Sequence, residues 1–114
     1  MNSRDRSILQ HIIGYCRQIQ NAVERFGNQY AIFAEDQDYK NSVALCVLQI
    51  GELSGQLTDD FKAAHGEIPW REIKVMRNVV AHRYGTIDTQ VLFETVQSDI
   101  PVLWKYCEAV LKEE

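Results

Sequence analysis

Residues 4–26 read RDRSILQHIIGYCRQIQNAVERF, and their spacing decides the fold class. Ile8, Ile12, Tyr15, Ile19, Val23 and Phe26 recur at steps of four and three, and Leu9, Ile13 and Cys16 widen the stripe. That is the period of one buried face of an α-helix, not the alternation of a strand. Ser3 is placed to cap the start, and Gly27-Asn28 supplies a left-handed stop. The same period returns along nearly the whole chain. From Asp36 or Asp38 to about Ala64, the residues Val43, Cys46 or Val47, Ile50, Leu53, Leu57 and Phe61 predict a second long helix, closed by His65-Gly66. Between the two, Tyr30, Ile32 and Phe33 are expected to tuck onto the bundle. Pro69 opens a third helix that runs to His82 or Tyr84, with Gly85 as its stop. Thr86 or Asp88 caps a last helical region reaching Leu111. There Leu92, Val96, Ile100, Leu103, Cys107 and Val110 hold one stripe across Pro101. Pro101 either kinks that helix or starts a new one capped by Ser98 or Asp99. The expected architecture is all-α: an up-and-down bundle of four main helices with a short extra helix or kink.

Composition sets the bounds around this pattern. The chain has 114 residues, enough for one core and too few for two, so residues 1–114 are expected to form one domain. Hydrophobic residues at 46% and charged residues at 25% exclude a disordered tail or a fibre. The longest apolar run, Val43 to Leu48, is too short to span a membrane. The first residues lack the apolar core and cleavage site of a signal peptide, so a cytoplasmic location is expected. Twelve basic against 16 acidic residues leave a net charge of −4, which excludes a general nucleic-acid coat. Action on RNA would need a small local basic site or a partner. Cys16, Cys46 and Cys107 are odd in number, widely spaced and each set in an apolar stretch, so they read as buried thiols. No CxxC, HxxxH or HExxH occurs, and neither a metal nor another cofactor is expected.

The third helix is the odd one. Trp70, Ile73, Arg77, Val80 and Tyr84 share one face, with an arginine in the middle of an apolar stripe. Val75, Val79 and His82 form a second stripe. One helix end therefore gathers Arg77, Asn78, His82, Arg83 and Tyr84. The structural explanation is that Arg77 snorkels along the apolar face, His82 answers the helix dipole and Tyr84 is core. The functional one is phosphate-ester chemistry. Histidine moves protons near neutral pH, and arginine holds a phosphate and stabilises charge on its oxygens. RNA brings its own nucleophile in the 2′-hydroxyl. Five steps along a helix turn Arg77 about 140° away from His82. Three arrangements reconcile this: the helix loosens after Ala81, Arg77 reaches across, or a two-fold dimer brings two helix ends into one cleft. The dimer is favoured because it doubles the local positive charge. Elsewhere, His11 reads as a solvated or core side chain, and the pair Asp59-Asp60 and the basic Arg71 and Lys74 read first as solvated side chains.

Arg77-Asn78-Val79-Val80-Ala81-His82-Arg83-Tyr84 resembles the R-x4-H-x-Y motif of the HepT-like branch of HEPN domains. Gly51-Glu52-Leu53 is similar to that family's Gly-Glu-Ala stretch, with Leu53 for the small Ala. Ile68-Pro69-Trp70-Arg71-Glu72-Ile73 is similar to its I-P-W-x-x-I lead-in. Ile87-Asp88 and Asp99-Ile100-Pro101-Val102-Leu103 are similar to its I/V-D turn and D-L-P-x-L segment. These matches fall in order over residues 51–103. The resemblance implies a homodimeric HEPN bundle acting as a toxin, a metal-independent endoribonuclease with Arg77 and His82 as the catalytic pair. Asn78 then fills the polar position that supports the arginine. Tyr84 becomes the tyrosine to which an MntA-type nucleotidyltransferase antitoxin adds AMP, blocking the site with bulk and negative charge. The chain has no Gly-Ser followed by D-x-D, so that activity would come from a separate protein. The alternative is a non-catalytic HEPN binding module that partners a nucleotidyltransferase. Glu52 either holds and tunes Arg77 or His82, or is a plain polar core contact.

Overall fold

The apolar period of the sequence becomes helix throughout. The computed structural model describes residues 1–113; Glu114 lies outside them. The helices are α1 (Ser3–Phe26), α2 (Tyr30–Glu35), α3 (Gln37–Gln56), α4 (Asp59–Ala64), α5 (Trp70–Arg83), α6 (Thr89–Glu94) and α7 (Ile100–Lys112). A 3-10 turn, Tyr84–Thr86, follows α5, and a π turn, Thr95–Asp99, joins α6 to α7. No strand occurs among the described residues. The helices pack as a bundle in which α1 lies on α3 and α7, and α3 lies on α5.

α1 forms where its stripe predicts, with Ile8, Leu9, Ile12, Ile13, Cys16 and Ile19 buried. Its cap is one residue earlier than expected. The Asn2 side chain accepts the Asp5 N–H at 2.7 Å, so Ser3 is already helical. Gly27 ends the helix at φ +109°, a region that a Cβ would make costly. Of the connector residues, only Phe33 is buried; Tyr30 and Ile32 are 42% and 37% exposed. α2 is a short helix with one inward face, and Phe33 takes it. Phe33 meets Tyr39 edge-on, and Tyr39 stacks on Phe26.

The second predicted helix is in fact two. α3 stops at Gln56, and Thr58 opens α4 by accepting the Phe61 N–H at 3.1 Å. The cause lies across the bundle. Asp5, only 2% exposed, accepts the Thr58 N–H at 3.0 Å and the Thr58 hydroxyl at 2.7 Å. In an uninterrupted helix that N–H would bond the Ser54 carbonyl instead. Asp59 and Asp60 therefore sit in the first turn of α4, where the helix dipole favours their charge.

In the last region Asp88, not Thr86, is the cap, accepting from Gln90 and Val91 at 2.9 and 3.4 Å. Pro101 has no N–H for the ladder and would crowd the Gln97 carbonyl. The π turn just before α7 absorbs both, and neither Ser98 nor Asp99 caps α7 through its side chain. No helix among the described residues is long and apolar enough to cross a membrane.

All three cysteines are free and buried. Burial pushes the Cys16 and Cys107 thiols up to about 12 and raises Cys46 as well. Such thiols stay protonated and inert. Iodoacetamide at neutral pH is expected to label none of them in the native protein and all in urea. Rapid labelling of folded Cys16 or Cys107 would contradict this packing. The folded chain keeps these protons while the unfolded thiols lose theirs from the ordinary value of 9.0 upward. Stability should therefore fall as pH rises above that value. For the clip between helices, Asp5→Ala should cost about 2–3 kcal/mol, read as a lower urea midpoint at little-changed slope. An unchanged midpoint would show the clip to be inert.

Candidate functional site

α5 starts at Trp70 behind Pro69, and the Trp70 indole N–H donates to the His65 carbonyl at 3.0 Å. Its apolar stripe turns toward α3. Val80 is buried, and Ile73, Arg77 and Tyr84 are half-buried. The second stripe faces outward, with Val75 56% exposed and His82 exposed.

An arginine fits the inner stripe because the facing residue is Gly51. A Cβ built on Gly51 would overlap the Arg77 Cβ and lie 2.8 Å from its Cγ. Hydrogen alone at this point lets α3 and α5 meet around the arginine stem. Glu52, the next residue of α3, takes the charged end by accepting from Arg77 Nε. Arg77 Nη1 also donates to Asn78 Oδ1 at 2.9 Å. Glu52 therefore faces Arg77 rather than His82. Three of the residues singled out in the sequence, Arg77, Asn78 and Glu52, form one connected group.

His82 stands apart from that group. α5 is continuous through Arg83, so the helix does not loosen after Ala81. No hydrogen bond or ion pair joins Arg77 to His82 among the described residues. Tyr84 lies at the end of the same helix and engages residues that the motif does not point to. Its hydroxyl donates to Asn41 Oδ1 and accepts from Gln37 Nε2 at 3.1 Å. Gln37 Nε2 also donates to Asn41 Oδ1, at 2.8 Å. Gln37 and Asn41 stand one turn apart at the start of α3. Their i, i+4 spacing is legible in the sequence, but nothing in it says which helix end they meet.

Electrostatically α5 differs from the rest of the acidic chain. It carries Arg71, Lys74, Arg77 and Arg83 against Glu72 alone. Arg71, Lys74 and Arg83 are exposed, as expected for Arg71 and Lys74. His11 is exposed too, and its Nδ1 lies 2.8 Å from the Ser7 carbonyl oxygen. A cavity of about 350 Å³ opens between α3, α5 and α7, walled by Ile50, Ile73, Met76 and Leu103. Its polar lining includes Glu72 and Asp99, carboxylates that repel phosphate, and neither Arg77 nor His82 reaches it. The cationic side chains of α5 therefore lie outside this cavity, on the outer and α3-facing sides of the helix. Among the described residues, no three His, Cys, Asp or Glu side chains cluster as metal ligands.

The sequence as a whole is similar to those of named ribonuclease-like proteins. The sequence model of the family described as ribonuclease HepT-like matches residues 12–110. A stretch of 54 residues, 47% of this chain, is 50% identical to the protein named "Probable ribonuclease HepT" of Thermococcus cleftensis, and spans 49% of that protein, about half its length. Over 109 residues, 96% of either chain, it is 28% identical to a protein of Caldanaerobacter subterraneus subsp. tengcongensis named as a candidate RNase. A Methanocaldococcus jannaschii protein, also named as a candidate RNase, is 31% identical over 81 residues, 71% of this chain and 74% of its own. No solved structure matches the chain.

Gly51→Ala tests the helix contact. Alanine gains about 1 kcal/mol of helix propensity over glycine. The overlap with Arg77 opposes that gain at a cost of about 1–3 kcal/mol. The expected result is net destabilisation on thermal melting. Gly55→Ala, one turn along α3 with open space around the new methyl, should stabilise. Equal behaviour of the two variants would refute the close approach.

Proposed function

We propose that this chain, which belongs to the ribonuclease HepT-like family, is a metal-independent endoribonuclease whose reaction is carried by Arg77 and His82. The observation that carries the reading is Arg77 itself. Its guanidinium is held by Glu52 and Asn78, on the same helix that presents His82 to solvent. In the reaction the ribose 2′-oxygen attacks the adjacent phosphorus. The 2′-O–P bond forms, the bond to the 5′-oxygen breaks, and the products are a 2′,3′-cyclic phosphate and a 5′-hydroxyl. His82 assists the attack by accepting the 2′-hydroxyl proton or donates one to the leaving oxygen. Arg77 stabilises charge on the non-bridging oxygens as the five-coordinate state forms. Asn78 and Glu52 orient the guanidinium for that task.

The two groups leave α5 in different directions, so one chain gives one group to each of two composite sites. A homodimer with its motif helices facing each other supplies Arg77 from one protomer and His82 from its partner. The doubled basic charge of α5 also compensates for the acidic chain when RNA approaches. In the cell the protein acts as the toxin of a toxin–antitoxin pair. The antitoxin is a nucleotidyltransferase that adds AMP to Tyr84, two residues from His82. The bulk and negative charge of that group beside the motif keep RNA out.

The second reading, a binding module that presents Tyr84 without cleaving RNA, draws support from the Arg77–Glu52 pair. A carboxylate already occupies the cation that RNA needs. The two readings separate in one experiment. Inducing the chain alone should arrest growth and cut cellular RNA. His82→Ala and Arg77→Lys should each lower cleavage by about 100-fold or more while the protein stays folded. Undiminished cleavage by a folded His82→Ala protein overturns the nuclease assignment. Intact RNA on induction of soluble wild-type protein favours the binding module.

A further inference from the structure

Among the described residues, none holds the His82 side chain by a hydrogen bond or ion pair. Ala81, His82 and Arg83 are all exposed, and the fixed points on either side are Val80, buried, and Tyr84, bonded to α3. The direction of the imidazole therefore depends on whether the end of α5 is held down at Tyr84. That end passes straight into a 3-10 turn containing Gly85, where Thr86 Oγ1 returns to the Arg83 carbonyl at 3.2 Å. The Ile87 N–H also donates to the Tyr84 carbonyl at 3.3 Å, Tyr84 and Ile87 pack on the core, and the hydroxyl bonds of Tyr84 to Gln37 and Asn41 add the polar tie between the turn and α3.

We propose that Gln37, Asn41 and Tyr84 form a clasp that holds the His82-bearing end of α5 against α3, and that AMP addition to Tyr84 opens it. The proposal rests on the reading of Tyr84 as the AMP acceptor and of His82 as a catalytic residue. Gln37 and Asn41 are then positioning residues, acting on His82 through Tyr84.

The chemistry of the transfer makes the clasp sensitive to modification. The phenolic oxygen attacks the α-phosphorus of ATP. An O–P bond forms, the bond to the β-phosphate oxygen breaks, and pyrophosphate leaves. The phenolic proton passes to a base of the transferase or to water. The product oxygen carries no hydrogen, so its donation to Asn41 Oδ1 is impossible. Two acceptor oxygens would then face each other, and an unpaired pair of this kind is unfavourable. The cleft beside Tyr84, lined by Gln37, Lys40, Gly85 and Ile87, measures about 150 Å³. That cleft is too small to enclose a nucleotide, so an AMP group on this exposed hydroxyl would project outward beside the helix end. Modification thus acts on the catalytic helix end as well as on access to it.

The test uses the full-length, unmodified protein with 3′-labelled total small RNA, alongside backbone amide exchange over residues 83–87. Asn41→Leu keeps the size of the side chain and removes its acceptor; Asn41→Asp keeps an acceptor. Asn41→Leu should lower the cleavage rate at saturating RNA by about tenfold, with half-saturation little changed, because it misplaces a reacting group without touching the substrate. It should also speed exchange over 83–87 and leave α1 protected. Asn41→Asp should restore both. Wild-type protein carrying AMP on Tyr84 should show the same fast exchange as Asn41→Leu. Wild-type cleavage or wild-type exchange in Asn41→Leu overturns the clasp, as does equal protection of 83–87 in the AMP-bearing and unmodified forms. Should unmodified wild-type protein cut no RNA, the nuclease reading fails. The exchange comparison then decides the clasp alone.

Discussion

The contact on which the arrangement turns is the close approach of α3 and α5 at Gly51 and Arg77. A side chain at Gly51 would occupy the space of the arginine stem. With hydrogen there, a charged residue can sit in the middle of a helix–helix seam without burying its charge. The stem packs against backbone, and the guanidinium emerges beside Glu52 and Asn78. The ion pair is about one-third exposed on each side, so its worth lies in orientation more than in stability. A longer residue at Gly51 would push α5 outward and move every group that α5 carries.

Other features of the bundle hold that seam in register. Asp5 reaches from the start of α1 to Thr58 and ends α3 where an uninterrupted helix would have continued. The chain can then turn through α4 and Pro69 and bring α5 back along α3. The π turn before Pro101 plays the corresponding part in the last helical path. It accommodates a missing N–H without breaking the stripe that packs α7 on α1. At the far end of the seam, Tyr84 meets the first turn of α3 through Gln37 and Asn41. α5 is thus fixed at Arg77, at Val80 and at Tyr84, and His82 projects between the last two.

Much of this is legible without coordinates. The steps of three and four that run from Ile8 to Phe26 and from Val43 to Ile50 specify helices, because only one face of a 3.6-residue spiral can be apolar at that period. Cys16 and Cys46 fall on those faces and Cys107 on the stripe of the last helix, and all three are buried as the pattern requires. The anomaly of Arg77 in an apolar stripe, with His82 and Tyr84 close behind, is equally plain in the sequence. Less legible are the ends and interruptions. Ser3 and Asn2 are both good caps, and only the Asp5 N–H bond selects Asn2. Thr58-Asp59-Asp60 has the composition of a helix start, but the contact that fixes the break there, Asp5 to Thr58, spans 53 positions. Tyr30 and Ile32 are apolar enough to be core, yet a helix as short as α2 has one inward position and Phe33 fills it.

Local periodicity and a short motif therefore determine helix type, core face and the candidate residues Arg77, Asn78, His82 and Tyr84. These are properties of neighbours in the chain, and neighbours are what a sequence displays. Tertiary structure alone decides that Glu52 meets Arg77, that His82 does not, and that Tyr84 is bound by Gln37 and Asn41. Each of these depends on how far apart two helix axes lie and which turns come level. A missing side chain at Gly51 and a buried carboxylate at Asp5 set those distances, and both act on residues remote in sequence.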